Sequence, residues 1–200
     1  MTPKPKSTKT VFPEGTSPGA EGPLYLPGDK RPAEEVERMI RVDHAGEYGA
    51  VRIYAGQLAV LGNRPTGDAI RAMAEQEAKH LKRFNEILPA RRVRPTALAP
   101  LWHVAGYALG FGTALLGEHA AMACTVAVED VIDTHYAEQA AHLGNEEADL
   151  KATIEEFRAD ELEHRQTALD HDAENAPAYP ILTGAIKTAS RMAIWLSKRI

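Results

Sequence analysis

Two short sequences, Glu77-Ala-Lys-His80 and Glu161-Leu-Glu-His164, each set a carboxylate and an imidazole three residues apart. On a helix such residues share a face one turn apart, so each pair can hold one metal ion. About one Glu-x-x-His is expected by chance in a chain with this many Glu and His, so the pairs alone say little. Their surroundings say more. Glu47 lies 30 residues before Glu77, and Glu129 lies 32 residues before Glu161. Tyr54 and Tyr136 each follow a lone glutamate by seven residues, nearly two helical turns, and so share its face. One pattern therefore occurs twice, at offsets of 82 to 84 residues. Four carboxylates offset the charge of two divalent cations, and some can bridge both. Each imidazole adds one nitrogen. Such a set leaves positions open to dioxygen and suits iron or manganese better than copper or structural zinc. It matches the known ligand plan of two-metal helical bundles: a Glu from each of two helices, and Glu-x-x-His from each of two others.

The neighbours of these six residues sharpen the reading. Glu129 is surrounded by Val126, Val128, Val131 and Ile132, where a carboxylate without a partner is costly. Glu75, Glu86, Glu155, Glu156 and Glu163 read as solvated surface. Asp160 is placed to accept a hydrogen bond from the outer ring nitrogen of His80, with a plain surface aspartate as the alternative. His44, three residues before Glu47, is a weaker competing ligand. Tyr54 is a candidate electron or proton relay, with core packing the better reading. Tyr136 is a candidate electron or proton relay, with core packing the simpler account.

Helices must position this set. Pro32 suits a helix first turn, and Glu34, Glu35 and Glu37 suit its positive end, which predicts a first helix to about Leu61. Gly62-Asn63-Arg64-Pro65 stops it. Thr66 is a candidate cap for a second helix over about 67–88, ended by Pro89. Arg91, Arg92 and Arg94 form a basic connector. Residues 96–117 carry no charged side chain. Further helices are predicted over about 118–143, 146–171 and 181–198. No strand-like alternation of useful length occurs. Residues 1–32, rich in Pro and Gly, read as a flexible arm without an apolar secretory core, and 33–200 as one domain.

Composition excludes several classes. The formal net charge of −5 speaks against a nucleic-acid binder. The single cysteine, Cys124, excludes an intramolecular disulfide and a multi-cysteine metal site, and its apolar setting makes it a core residue. No acidic residue follows Glu174, whereas Lys187, Arg191, Lys198 and Arg199 do.

Four blocks closely resemble the demethoxyubiquinone hydroxylase family of ubiquinone biosynthesis: residues 41–50 (RVDHAGEYGA), 123–129 (ACTVAVE), 160–164 (DELEH) and 169–179 (LDHDAENAPAY). The likeness runs from about Arg31 to Ile200. It implies an all-α, ferritin-like four-helix bundle and a di-iron monooxygenase that hydroxylates a polyprenyl demethoxy-benzoquinol with dioxygen. The family's ligands fall on Glu47, Glu77, His80, Glu129, Glu161 and His164. The resemblance further implies two iron ions, NADH as an electron donor, and a relay role for Tyr136 beside His135. No Gly-rich dinucleotide fingerprint follows a strand here, so an NADH contact rests on family alone.

A polyprenyl quinone lives in lipid, and two segments could meet it. Residues 96–117 are uncharged and carry Gly106-x-x-x-Gly110; their apolar part, Leu101 to Gly117, is at the short limit for a span and fits an interfacial or re-entrant placement better than a crossing one, with a buried connecting helix as the alternative. Residues 181–200 suit an amphipathic helix on an anionic membrane, or docking to another ubiquinone-biosynthesis protein or a second copy. These would be the bundle's two additional membrane-facing segments. The expected place is peripheral: the cytoplasmic face of the cell membrane in a bacterium, the matrix face of the inner membrane in a mitochondrion. A ferroxidase of the same fold and a non-catalytic quinone- or lipid-binding protein are the competing functions.

Overall fold

The computed structural model describes residues 32–200. The predicted arm lies outside them, except for Pro32, which opens the first helix. Six helices follow in order: α1 Pro32–Leu61, α2 Gly67–Ala90, α3 Ala99–Leu115, α4 Glu118–His142, α5 Ala148–Asp170 and α6 Tyr179–Ser197. Short 3-10 turns at Asn145–Glu147 and Ala173–Asn175 precede α5 and α6. There is no strand among the described residues. The fold is an all-α, ferritin-like bundle.

Packing follows the sequence repeat. α1 pairs with α2 and α4 with α5, and each pair gains a third helix on its first member: α3 on α1, α6 on α4. One apolar cluster gathers Phe84, Ile154, Phe157 and Tyr136; another gathers Ile70, Met73, Met122 and Tyr54. Each contributes one of the two repeated tyrosines.

Three boundaries differ from expectation. Pro89 does not end α2, which runs on to Ala90. A proline so close to a helix end removes one hydrogen bond, and the Arg91 N–H closes the turn on the Ile87 carbonyl at 2.9 Å. Thr66 does not cap α2 with its side chain; its hydroxyl donates instead to Glu118 Oε2 at the start of α4 (2.9 Å). The fifth helix begins at Ala148 because the preceding residues form the tighter 3-10 turn, where Glu147 accepts two hydrogen bonds from Arg91 at 3.0 and 2.7 Å.

The uncharged segment resolves into α3. It is not a buried connector: Leu101, Val104, Leu115 and Leu116 are all more than half exposed. Its opposite face carries Gly110, where an added Cβ would run into the Ile53 carbonyl of α1; Gly56 of α1 is closed in likewise by Tyr107 and Phe111. Gly106-x-x-x-Gly110 therefore brings two helix backbones together within the protein. Among the described residues no helix is long and apolar enough to cross a membrane.

Candidate metal centre

The repeat converges. Glu47 of α1, Glu77 and His80 of α2, Glu129 of α4, and Glu161 and His164 of α5 all bury their side chains in one cluster, each no more than 3% exposed. Their atoms form two groups, each offering four ligand atoms within 4.8 Å of one another: Glu47, Glu77, His80 and Glu161; and Glu77, Glu129, Glu161 and His164. Glu77 and Glu161 belong to both. The inner nitrogen of each imidazole faces carboxylates. His80 Nδ1 is 3.5 Å from Glu47 Oε2 and 3.4 Å from Glu161 Oε1; His164 Nδ1 is 3.1 Å from both Glu77 Oε1 and Glu161 Oε2.

The tyrosines cross over. Tyr136, on the helix of Glu129, donates its hydroxyl to Glu47 Oε1, and Tyr54, on the helix of Glu47, donates to Glu129 Oε1 at 3.0 Å. The seven-residue spacing set each tyrosine on its glutamate's face, but the partner is the other repeat's glutamate. Tyr54, for which core packing is the better reading of the sequence, holds a polar contact of the same kind as Tyr136. Asp160 accepts from His80 Nε2 at 2.9 Å, as its position predicted. His44 stays outside the cluster, with Nε2 3.1 Å from Asn85 Oδ1. Cys124 is buried, and burial pushes its thiol up to about 12.

Four carboxylates brought out of water and close together cannot all ionise cheaply. Burial, and then the charge of Glu161, hold Glu77 and Glu129 protonated to well above the usual carboxylate range. Burial also raises Glu47, against the pull of the His80 imidazole, whose Nδ1 stands 3.5 Å away. Glu161 takes the charge: burial would raise it, but the hydrogen bond from His164 and the nearby His80 imidazole bring it to about 2. Burial would lower His80, yet the facing carboxylates of Glu161 and Glu47 and its bond to Asp160 raise it to about 10.

Within this centre Glu47 Oε2, both oxygens of Glu77 and His80 Nδ1 lack a hydrogen-bond partner among the described residues. Buried polar atoms are nearly always satisfied, so a group of such atoms aimed at one spot marks a place for a cation. The donor set fits two divalent ions of iron or manganese type.

Sequence reading missed two contacts. Gln76 Oε1 lies 3.2 Å from His164 Nε2. Asp43, fully buried, accepts from Gln139 Nε2 at 2.6 Å and lies 3.4 Å from His135 Nε2. The repeat itself could have signalled the first, because Gln76 stands before Glu77 as Asp160 stands before Glu161.

Four helices closing on buried carboxylates and two imidazoles define a ferritin-like protein with a buried cluster able to bind metal. Comparison with known sequences narrows the class. The family model described as "Ubiquinone biosynthesis protein COQ7" matches residues 34–197, and the chain belongs to that family. It is 57% identical over 176 residues to the 3-demethoxyubiquinol 3-hydroxylase of Rhodospirillum rubrum, covering 88% of this chain and 83% of the relative. It is 56% identical over 169 residues to the mitochondrial NADPH-dependent 3-demethoxyubiquinone 3-hydroxylase of Homo sapiens (82% and 78%). It is 44% identical over 182 residues to the mitochondrial 5-demethoxyubiquinone hydroxylase of Saccharomyces cerevisiae (82% and 78%).

Proposed function

We propose that this protein is a demethoxyubiquinol hydroxylase: a di-iron monooxygenase that adds one oxygen atom from dioxygen to the ring of a polyprenyl demethoxy-benzoquinol. The observation that carries this is the convergence of both sequence repeats on one buried centre, in a chain 57% identical to a relative named for that reaction. Glu47, Glu77, His80, Glu129, Glu161 and His164 are the ligands, with Glu77 and Glu161 shared between the two positions. Two iron ions held there would supply the chemistry that splits dioxygen, one atom going to the ring and the other to water, with two electrons drawn from a reductant.

The protein's own residues bind, orient and exclude water. An apolar cavity of about 180 Å³ lies between α1, α4, α3 and α6. Its wall includes Gly46 and Val128, the residues directly before Glu47 and Glu129, so the same two helices line the cavity and carry ligands. Trp102, Leu109, Ala193 and Ile194 line it from α3 and α6, the helices that carry the exposed apolar residues. Tyr136 is the relay. Burial, then the charges of Glu47 and Asp43, keep its phenol protonated far above its usual range, and it holds that proton against Glu47.

The electron donor is a reduced nicotinamide. Family resemblance implies NADH, while the names of the human, mouse and rat relatives speak for NADPH. The protein attaches peripherally to a membrane surface through α3 and α6. α6 exposes Ile181, Met192 and Trp195. Trp102 Nε1 donates to Ser197 Oγ at 3.1 Å, and Thr96 Oγ1 to the Ile200 carbonyl at 2.7 Å, which ties α3 to the end of α6. Of the basic quartet Lys187 is engaged by Asp130 at 2.5 Å, and Arg199 stacks on Trp195 and donates to its carbonyl at 2.7 Å, leaving Arg191 and Lys198 for anionic headgroups. The proposed place is the cytoplasmic face of the cell membrane in a bacterium or the matrix face of the inner membrane in a mitochondrion; the names of several relatives place those proteins in mitochondria.

The test is direct. Iron-loaded protein, a demethoxyquinol, NADH or NADPH and isotopically labelled dioxygen should yield a product heavier by one labelled oxygen, and Glu129→Ala should abolish it. Absence of label in the ring would refute the assignment.

A further inference from the structure

The two repeats place Glu47 on Glu129, Tyr54 on Tyr136, Glu77 on Glu161 and His80 on His164. Their contacts repeat as well, down to the crossed tyrosines. At the outer nitrogens of the two imidazoles the repetition fails. The residue before Glu161 is Asp160, whose Oδ2 lies 2.9 Å from His80 Nε2. The residue before Glu77 is Gln76, whose Oε1 lies 3.2 Å from His164 Nε2. Both rings turn Nδ1 inward to carboxylates and Nε2 outward to one side-chain oxygen. One ring is backed by a carboxylate and the other by a neutral amide.

A second difference falls on the same half. Asp43, four residues before Glu47, corresponds to Thr125, four residues before Glu129, and His135 beside Tyr136 corresponds to Ile53 beside Tyr54. Gln139 and Gln57 correspond too, but Gln139 donates to the Asp43 carboxylate, whereas Gln57 donates to the Ala121 carbonyl at 3.0 Å. The ionisable outer groups thus gather around Glu47, His80 and Tyr136. The half around Glu129, His164 and Tyr54 has neutral neighbours in these places.

A carboxylate behind a ligating imidazole fixes its tautomer, draws the Nε2 proton outward and makes Nδ1 a stronger donor; removing such a partner typically costs about 10–100-fold in metal affinity. We infer that the two metal positions are unequal: the position at Glu47 and His80 fills first and more tightly because Asp160 backs His80, and the position at Glu129 and His164 fills second because Gln76 backs His164. Asp160 and Gln76 are positioning residues that set this order. The inference rests on the two-metal reading proposed above.

The experiment uses the full chain, made metal-free and titrated with Mn(II) under anaerobic conditions at neutral pH, followed by calorimetry and electron paramagnetic resonance. Two steps separated by about tenfold or more are expected. The first gives the spectrum of isolated Mn(II), and the second replaces it with that of a coupled pair. His80→Ala should remove the tighter step and His164→Ala the weaker one. Asp160→Asn should weaken the first step by about 10–100-fold and leave the second in place. Gln76→Glu should tighten the second step and narrow the gap, a gain that no folding defect produces. Two equal sites, loss of the tighter step in His164→Ala, or unchanged steps in both Asp160→Asn and Gln76→Glu would overturn the inference while leaving the two-metal reading standing. A protein that binds no Mn(II) or Fe(II) would overturn both.

Discussion

Glu77 and Glu129 keep their protons above the ordinary carboxylate value of 4.5 because burial and then the charge of Glu161 oppose ionisation. A carboxyl group whose folded pKa is raised stabilises the fold below its unfolded pKa and loses that contribution as pH rises towards the folded value. His80 acts in the same direction: raised from 6.5 to about 10, it contributes fully below 6.5 and loses its contribution on the way to 10. Glu161 acts oppositely, but its contribution is lost only as pH falls from 4.5 towards about 2. The metal-free protein should therefore lose stability as pH rises above about 5, where the unfolded chain releases the protons that Glu77 and Glu129 keep in the fold. Bound cations reverse this by pairing with the ionised carboxylates. The rise in Tm on adding metal should accordingly be larger at about pH 7.5 than at about pH 5.5, as scanning calorimetry of the two forms would show. An equal rise at both pH values would contradict the proposed ligand role of these carboxylates. The spacing of the six residues was readable in the chain, as was the place of Asp160. The tyrosine partners were not, because seven-residue spacing fixes a face of one helix and says nothing of which glutamate stands opposite.

α3 shows what an element's composition leaves open. An uncharged stretch with glycines four apart suits an interfacial membrane segment, and less well a buried connector. In this protein the glycines serve close contact with α1, and the exposed leucines and Val104 lie on the other side. Substituting Gly110 by Ala would drive a methyl group into the Ile53 carbonyl, so α1 and α3 must separate. Overpacking of this kind costs about 1–3 kcal/mol, which urea denaturation would measure. The outward side should behave differently. Val104→Asp together with Leu115→Asp should leave the far-UV circular dichroism unchanged and abolish co-sedimentation with anionic vesicles. Retained vesicle binding would remove α3 from the proposed membrane surface.

Across the whole molecule, the centre joins α1, α2, α4 and α5, each of which contributes at least one of the six residues. α3 and α6 contribute none. Outside the centre, Arg91 with Glu147 ties the α2–α3 connector to the approach to α5, and Asp130 with Arg165 and Lys187 ties α4 to α5 and α6. These ion pairs are partly exposed, and such pairs contribute little each. Metal should therefore stabilise the molecule unevenly. Hydrogen exchange should slow on metal binding in the middle of α1, α2, α4 and α5, with a smaller change in α3 and α6. Uniform slowing over all six helices would show instead that the centre couples to the outer pair as strongly as to the bundle.

The sequence by itself determined the helices, their approximate ends and the candidate ligand set, because helical periodicity, caps and Glu-x-x-His spacing are local properties written in neighbouring residues. The duplicated pattern even implied which helices must meet. The tertiary structure alone decided what crosses between helices: Tyr136 on Glu47 and Tyr54 on Glu129, Gln76 behind His164, Asp43 against His135 and Gln139, and α3 laid glycine-side down on α1. Each of these contacts joins residues on different helices, as far as 96 positions apart in the chain for Asp43 and Gln139. Their pairing depends on how the helices rotate and approach one another, and the packing of the whole core sets that rotation.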